Sequence, residues 1–268
     1  MRSRLEQNES GQLDLSRYKK APSAHPYVAD LKVVGPEDSR RWLNVGVDVS
    51  GRNRSGTFIQ QDASVIHSST AIPDVEMCSI TEALEKYDWL RDYMWQHLDP
   101  EKDEFTAHAR EMPSNGYFIR SKPGAKIEQP VQSCLYLSEE GATQNVHNIV
   151  IAEPDSQMHV ITGCATASHV NSGLHLGVSE FYVKKGATLH FTMIHDWGEA
   201  VDVRPRSAIY VEEGGVIVSN YISLRPLGSL EMNPTTILDG EGAVARFNSI
   251  LVATHDSWLD VGSRVFLN

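Results

Sequence analysis

Lys184-Lys185-Gly186-Ala187 leads into Thr188-Leu189-His190-Phe191-Thr192-Met193-Ile194, and Glu212-Glu213-Gly214-Gly215 leads into Val216-Ile217-Val218-Ser219-Asn220-Tyr221-Ile222. A third stretch, Gly240-Glu241-Gly242-Ala243, leads into Val244-Ala245-Arg246-Phe247-Asn248-Ser249-Ile250. Gly186, Gly214 and Gly242 fall 28 residues apart, and so do Ile194, Ile222 and Ile250. Each unit is a charged, glycine-bearing turn that feeds a strand-like run rich in β-branched residues. A unit this short cannot bury its own apolar face, so neighbouring units must stack to make a core. The repeat predicts a β-solenoid.

Working outward from the repeat, nearly everything from Gly116 onward reads as short strands. Tyr117–Arg120, Val131–Leu137, Asn148–Ala152 and Met158–Gly163 precede the periodic units, with turns at Lys122-Pro123-Gly124, Glu139-Glu140-Gly141 and Glu153-Pro154-Asp155. Ahead of Gly116 the texture changes. Residues 1 to about 25 are polar and read as a loose or docked arm. Trp42 to Ile72 reads as strand and turn, with a hairpin over Val45–Gly56 and a strand after it. Ser79-Ile80-Thr81-Glu82 has the form of a capping box. The helix it opens would carry Leu84, Tyr87, Leu90, Met94 and Leu98 on one face and stop at Asp99-Pro100. A second helix is expected over Glu101–Glu111. The expected organisation is therefore an N-terminal α/β region with a helical insert over residues 1–115, then a β-helix core over 116–268. The last residues, Leu259–Asn268, form an apolar strand-like run with no polar cap, which reads as a solenoid truncated at its C-terminal end.

The formal charge is −11, which argues against nucleic acid as the main partner, because phosphate binding wants a basic face. No stretch is long and apolar enough for a membrane span, and the N-terminus lacks the apolar segment of a signal peptide, so a cytoplasmic protein is expected. The three cysteines, Cys78, Cys134 and Cys164, are too far apart for a local zinc or cluster-binding loop. In a reducing compartment such thiols are either buried fillers or reactive groups. Gly51–Gly56 lacks the ending of a phosphate loop. His147, His159, His169, His175 and His190 show no metal-binding spacing, and His255-Asp256 reads either as an oriented imidazole or as solvated loop.

One long stretch resembles the SufB/SufD family, scaffold proteins of the SUF iron–sulfur cluster assembly system. It runs from Ile161-Thr162-Gly163-Cys164-Ala165-Thr166-Ala167 through Asn171–Glu180 to Phe181–Trp197. It includes a Gly-Cys after a strand, the Leu174-His175 step, a Glu180-x-x-Val183-x-x-x-Ala187 pattern and a strand ending just before Trp197. Thr254–Asp256, Leu259–Gly262 and Gly116–Pro130 add weaker likeness. The resemblance implies an all-β dominated fold, a right-handed parallel β-helix with a small N-terminal helical region, in agreement with the repeat. It further implies a scaffold rather than an enzyme, working with a SufC-type ABC ATPase and a second SufB/SufD-type subunit, with sulfur supplied by a cysteine desulfurase or another donor. A transient iron–sulfur cluster is expected in the full-length complex and none on this chain alone. Family members continue well beyond Asn268, into the region that carries the late cluster ligand and the helices that hold the ATPase. SufB-type members also tend to place a Trp-Lys pair before the Pro that follows the second repeat strand, where this chain has Glu231-Met232-Asn233-Pro234, which leaves the SufB and SufD branches both open.

By the same resemblance Cys164 is the candidate sulfur acceptor, and His195 and Trp197 stand where family members line a sulfur route. Physically, an acceptor thiol must reach its thiolate form and meet a donor persulfide, and Gly163 would allow a partner backbone to come close. An imidazole at 195 could hydrogen-bond a persulfide or share its proton. The plainer readings are a small buried hydrophobe at 164, and a turn histidine with a plugging tryptophan at 195 and 197. Cys134 alternates with apolar neighbours and reads as core. The Lys184-Lys185 and Glu212-Glu213 pairs read as solvated turns. An alternative function is a carbohydrate-active β-helix enzyme, a polysaccharide lyase or hydrolase. The carboxylates of the repeat fall mostly in turns rather than on strands, which disfavours it.

Overall fold

A computed structural model describes residues 13–19, 23–254 and 257–268, so the His255-Asp256 pair lies outside the described residues. The 28-residue units stack in the register the repeat predicts. β9 (Thr188–Asp196) pairs in parallel with β12 (Val216–Ser223), and β12 with β15 (Val244–Leu251). Thr188 aligns with Val216 and Val244, and Ile194 with Ile222 and Ile250. At each turn before these strands a glycine takes positive φ: 66° at Gly186, 65° at Gly214 and 73° at Gly242. A side chain there would be strained, which is why glycine recurs at the same place. The charged turn residues pair across units, Lys184 with Glu212 at 3.2 Å and Lys185 with Glu213 at 2.9 Å, so they are rungs as well as solvated turns.

The same parallel ladder continues towards the N-terminus through β7 (Gln157–Thr166) and β5 (Val131–Leu137) to β1 (Gly56–Gln61). β2 (Ser64–Thr70) closes that edge by pairing antiparallel with β1. The opposite sheet holds β3 (Val75–Ser79), β4 (Tyr117–Ser121), β6 (Thr143–Ala152) and β8 (Ser172–Val183). Beyond β8 each strand position is split in two. β10 (Ala200–Val203) and β11 (Arg206–Glu212) both pair with β8, with Pro205 between them. A proline cannot donate to a ladder, so the strand breaks there. β13 (Ser229–Met232) and β14 (Thr235–Asp239) extend the two halves, followed by β16 (Trp258–Val261) and β17 (Arg264–Leu267). The chain is a parallel β-solenoid with a few helices near its N-terminus.

Alternate residues of both sheets fill the space between them, among them Phe58, Leu135, Val160, Leu189, Ile217 and Leu230. The outer faces are covered separately. α1 (Pro36–Asn44) and the segment after it place Trp42, Val45 and Val47 over Ile59, Cys134, Tyr136 and Ala165. Cys134 is thus a filler of that outer core. On the opposite sheet the insert packs Ile80 and Leu90 on Phe118, Ile149 and Tyr182, and Leu98 and Ala109 on Val178 and Ala208.

Three local expectations change. Residues 45–55 form turns rather than a hairpin, and the hairpin is β1–β2. α1 falls in a stretch where no helix is expected, although Pro36 and the acidic Glu37 and Asp38 at its first turn and Arg41 in its last turn are helix signals. Third, Ser79 caps a helix as expected, accepting the Glu82 N–H at 3.0 Å, but this helix, α2 (Ile80–Lys86), stops long before Leu98. Tyr87 leaves the helix at φ −128°, and Asp88–Asp92 continues as a 3₁₀ helix. Tyr87 and Trp89 pack on Phe118, and Tyr93 packs edge-on to Tyr182, a spread of aromatic contacts one straight helix could not make. The second helix, α3 (Glu104–Glu111), begins at the Asp103 cap, where Thr106 completes a capping box.

Candidate functional site

Cys164 lies on β7 with Leu135 of β5 as its partner on one side and His195 of β9 on the other. Residues of β7 alternate, so Met158, Val160 and Cys164 belong to the interior core between the sheets. Paired residues on parallel strands point the same way, which brings the Cys164 and His195 side chains onto one inner face, on strands about 4.8 Å apart. Trp197, two residues beyond His195, joins the same core. The ring of His195 is 5.4 Å from that of Trp197 and 4.9 Å from that of Tyr221. His175 of β8 completes the group from the opposite sheet, 5.0 Å from Trp197. The structure therefore brings Cys164, His195 and Trp197 together inside the solenoid.

All three are buried, with Cys164 fully so and His195 and Trp197 at 3% and 4% exposure. Burial pushes the Cys164 thiol far above its usual range, with no cation to offset it. The resting thiol is protonated. Burial also holds both imidazoles neutral: His175 is lowered to about 3, and His195, which also feels His175, lies well below its ordinary value. His195 Nδ1 is 2.8 Å from the Tyr221 hydroxyl. Its Nε2 and the Trp197 Nε1 are buried without a hydrogen-bond partner among the described residues. Below Cys164, the hydroxyls of Tyr117 and Ser133 both meet Thr162 Oγ1, at 2.9 and 2.8 Å. A cavity of about 300 Å³ runs along the interior from this level towards the later strands, lined by Leu135, His175, Phe191, Met193, His195 and Tyr221 among others.

Gly163 has a different reason from the one its sequence context suggests. It faces outward, and a Cβ there would meet the Val45 side chain at 2.5 Å and the Val45 carbonyl oxygen at 2.7 Å. The close neighbour is this chain's own covering segment rather than a partner. Tyr221 and the acceptor role of Gln144 towards His175 escaped sequence reading. The 28-residue frame did contain a signal, because Met193, Tyr221 and Ser249 occupy one inward row.

The remaining candidates scatter. His147 Nε2 is 2.9 Å from Glu180 on the outer face of β8, His169 meets the Ser138 carbonyl, and His159 lies beside His190 and Thr192. Cys78 is half-buried beneath the insert, with its thiol pushed up to about 11 by burial and the nearby carboxylate of Glu82. Among the described residues no group of three or more His, Cys, Asp or Glu side chains is arranged to hold a metal ion. No helix among them is long and apolar enough to cross a membrane.

The molecule is a parallel β-solenoid with a thiol, two neutral imidazoles and an indole in its interior. The family described as "SUF system FeS cluster assembly, SufBD core domain" matches residues 135–268. An iron–sulfur cluster assembly SufBD family protein of Methanothermobacter thermautotrophicus is 45% identical over 260 residues, covering 95% of this chain and 63% of its own length. One from Archaeoglobus fulgidus is 48% identical over 230 residues, covering 86% and 62%. The iron–sulfur cluster assembly protein SufB of Bacillus subtilis is 28% identical over 182 residues, covering 68% and 39%. The chain belongs to the SufBD family of iron–sulfur cluster assembly proteins. It spans a little under two thirds of the length of the two archaeal relatives.

Proposed function

We propose that this chain is the β-solenoid part of a SUF scaffold subunit that accepts sulfur at Cys164 and supports nascent cluster formation without catalysing a reaction of its own. The observation that carries this reading is the pairing of Cys164 with His195 on one buried inner face, with Trp197 beside His195 and a cavity that His195 lines. Sulfur would reach the thiol as sulfane sulfur from a cysteine desulfurase or another donor, and the burial of Cys164 would keep the resulting persulfide from water and from other thiols. The cluster is cargo of the assembled complex. The partners proposed are a SufC-type ATPase and a second SufB/SufD-type subunit, either a different chain or another copy of this one, in the cytoplasm.

A fully buried, protonated thiol cannot attack a donor persulfide while the chain is closed. Acceptance therefore requires a movement that opens the strands around β7 or admits solvent to the cavity. ATP hydrolysis on the partner is a source of free energy for such a movement.

Anaerobic co-purification of the full-length gene product with its ATPase, for wild type and Cys164→Ser, tests this reading. A stable complex whose cluster yield collapses in the variant supports both the scaffold and the role of Cys164. Undiminished yield keeps the scaffold and returns Cys164 to packing, and failure to form any complex overturns the scaffold assignment.

A further inference from the structure

The unpartnered Nε2 of His195 fixes more of the site's chemistry than its burial alone suggests. The Tyr221 hydroxyl and His195 Nδ1 share one hydrogen bond of 2.8 Å, which can run either way. If Nδ1–H donated to the phenol oxygen, the phenol proton would be buried with no acceptor among the described residues. The Nε2 lone pair would also be without a donor, leaving two buried groups unsatisfied. If the phenol O–H donates to Nδ1, a single group is left over, the Nε2–H. Each buried polar group left unpaired costs about 1–3 kcal/mol, so the second arrangement is favoured. It makes His195 a neutral imidazole with its only proton on Nε2.

His175 is fixed in the opposite sense. The Gln144 side-chain nitrogen donates to the carbonyl oxygen of Asp62 at 2.8 Å, which turns its oxygen towards His175 Nδ1 at 3.0 Å. His175 Nδ1 must donate, so its Nε2 is a lone pair. The two imidazoles in one interior are not equivalent. Only His195 offers an N–H, and it does so on the strand that pairs with Cys164. Next to it the Trp197 indole N–H is also buried without a partner.

From this geometry we infer that Tyr221 is a positioning residue that holds His195 as an Nε2–H donor for a small, weakly hydrated sulfur anion, the terminal sulfur of a persulfide on Cys164. The assignment rests on the sulfur-acceptor reading above and deepens it. The lining favours a soft monoanion over sulfate or phosphate, because it includes Leu135, Phe191 and Met193 and no Lys or Arg side chain. Neutral N–H donors can stabilise one diffuse charge but cannot replace the hydration of a compact multivalent anion. His195 is thereby a donor to the persulfide and not the base that deprotonates the thiol. The loading step balances without it: Cys164–SH and a low-molecular-mass persulfide RS–SH give Cys164–S–SH and RSH. A sulfur–sulfur bond breaks in the donor, another forms at Cys164, and the thiol proton ends on the leaving thiol.

Two readouts on the full chain separate this inference from the reading it rests on. The first is the nitrogen-15 signature of the His195 ring in histidine-labelled protein, assigned by its absence in His195→Gln. The proton is expected on Nε2 in wild type and shared between the two nitrogens in Tyr221→Phe; a proton on Nδ1, or a charged ring, in wild type overturns the inference. The second is sulfane sulfur retained after anaerobic loading with glutathione persulfide in a Cys78→Ser background, in the complex with the ATPase during ATP turnover that supplies the opening the closed chain lacks, read by cyanolysis. Loss of this hydrogen bond to the anion should speed transfer of the sulfur to an added thiol about tenfold in His195→Leu, and about twofold in Tyr221→Phe, where half of the rings keep the Nε2 proton. His195→Gln supplies an N–H that does not titrate and should retain most of it, which a merely structural role would not predict. Melting temperatures check that each variant is folded. If Cys164→Ser retains as much sulfur as wild type, the acceptor reading fails and so does the ligand assigned here, while the ring signature still decides the role of Tyr221. If Cys164→Ser loses the sulfur but Tyr221→Phe and His195→Leu hold it as well as wild type, the acceptor reading stands and this inference falls.

Discussion

The outer face of β8 carries Glu180, and its inner face carries His175. Glu180 is 1% exposed, yet it accepts from the backbone N–H groups of Trp95 and His97 and meets His147 Nε2, while the Tyr182 hydroxyl beside it donates to the Tyr93 carbonyl. Trp95 takes a left-handed conformation, φ 59°, in the turn that delivers those N–H groups. Every polar atom there has a partner, and the result is a clasp that fastens the insert to the sheet. Across the strand, in the interior, His195 Nε2 and Trp197 Nε1 have none. Satisfied polar clusters fix structure, whereas unsatisfied ones in a cavity leave free energy to be gained by a ligand. The contrast explains why a buried carboxylate is here a structural element and a buried imidazole is a candidate site.

The largest effect should come from breaking the clasp. Glu180→Leu strands several buried donors at once and should lower stability by about 3–5 kcal/mol, read as a shift in the urea unfolding midpoint. A loss below about 1 kcal/mol would show that the insert finds other anchors. The interior should respond to acid instead. The unfolded His175 binds a proton near pH 6.5, but the folded one does so only near about 3, so between these values the unfolded chain holds more protons. Its contribution is complete above pH 6.5 and falls as the pH drops, by about 2 kcal/mol at pH 5. His175→Gln should remove one proton's share of that slope, leaving the part that His195 contributes, and an unchanged slope would mean that the folded His175 imidazole already protonates.

Smaller effects sharpen the contrast. Trp197→Phe removes an unpaired N–H while keeping the aromatic packing, so stability should change by less than about 1 kcal/mol. A loss of several kcal/mol would reveal a hydrogen bond that the indole makes in solution. Finally, the thiols should rank by burial and not by intrinsic chemistry. In native protein a disulfide reagent should modify half-buried Cys78 first and leave Cys134 and Cys164 unreacted, with all three reacting in denaturant. Early modification of Cys164 would show that the interior opens without a partner.

Much of this fold could be read directly because a repeat imposes its own register. Once Gly186, Gly214 and Gly242 are seen to recur, the turn, the strand that follows and the inward row are determined together, and the structure reproduces that alignment residue for residue. The insert was harder. Its apolar spacing fits a helix through Leu98, but the aromatic side chains gain more by spreading over Phe118 and Tyr182 than by staying on one helical face, so the helix ends at Tyr87. α1 carried too little pattern to be seen, because only Trp42 of its nine residues is fully buried.

For the site, the sequence by itself placed Cys164, His195 and Trp197 as candidates through their resemblance to a family, and local alternation could place each on a strand face. What only the tertiary structure decided is which groups share the interior and in what protonation state. Parallel pairing across strands set Cys164 against His195, residues 31 positions apart, and it brought His175 from the opposite sheet. Tyr221 reached Nδ1 from the next rung, and Gln144 turned His175 the other way. A tautomer depends on the partner a ring nitrogen meets in space, and spacing along the chain does not specify that partner.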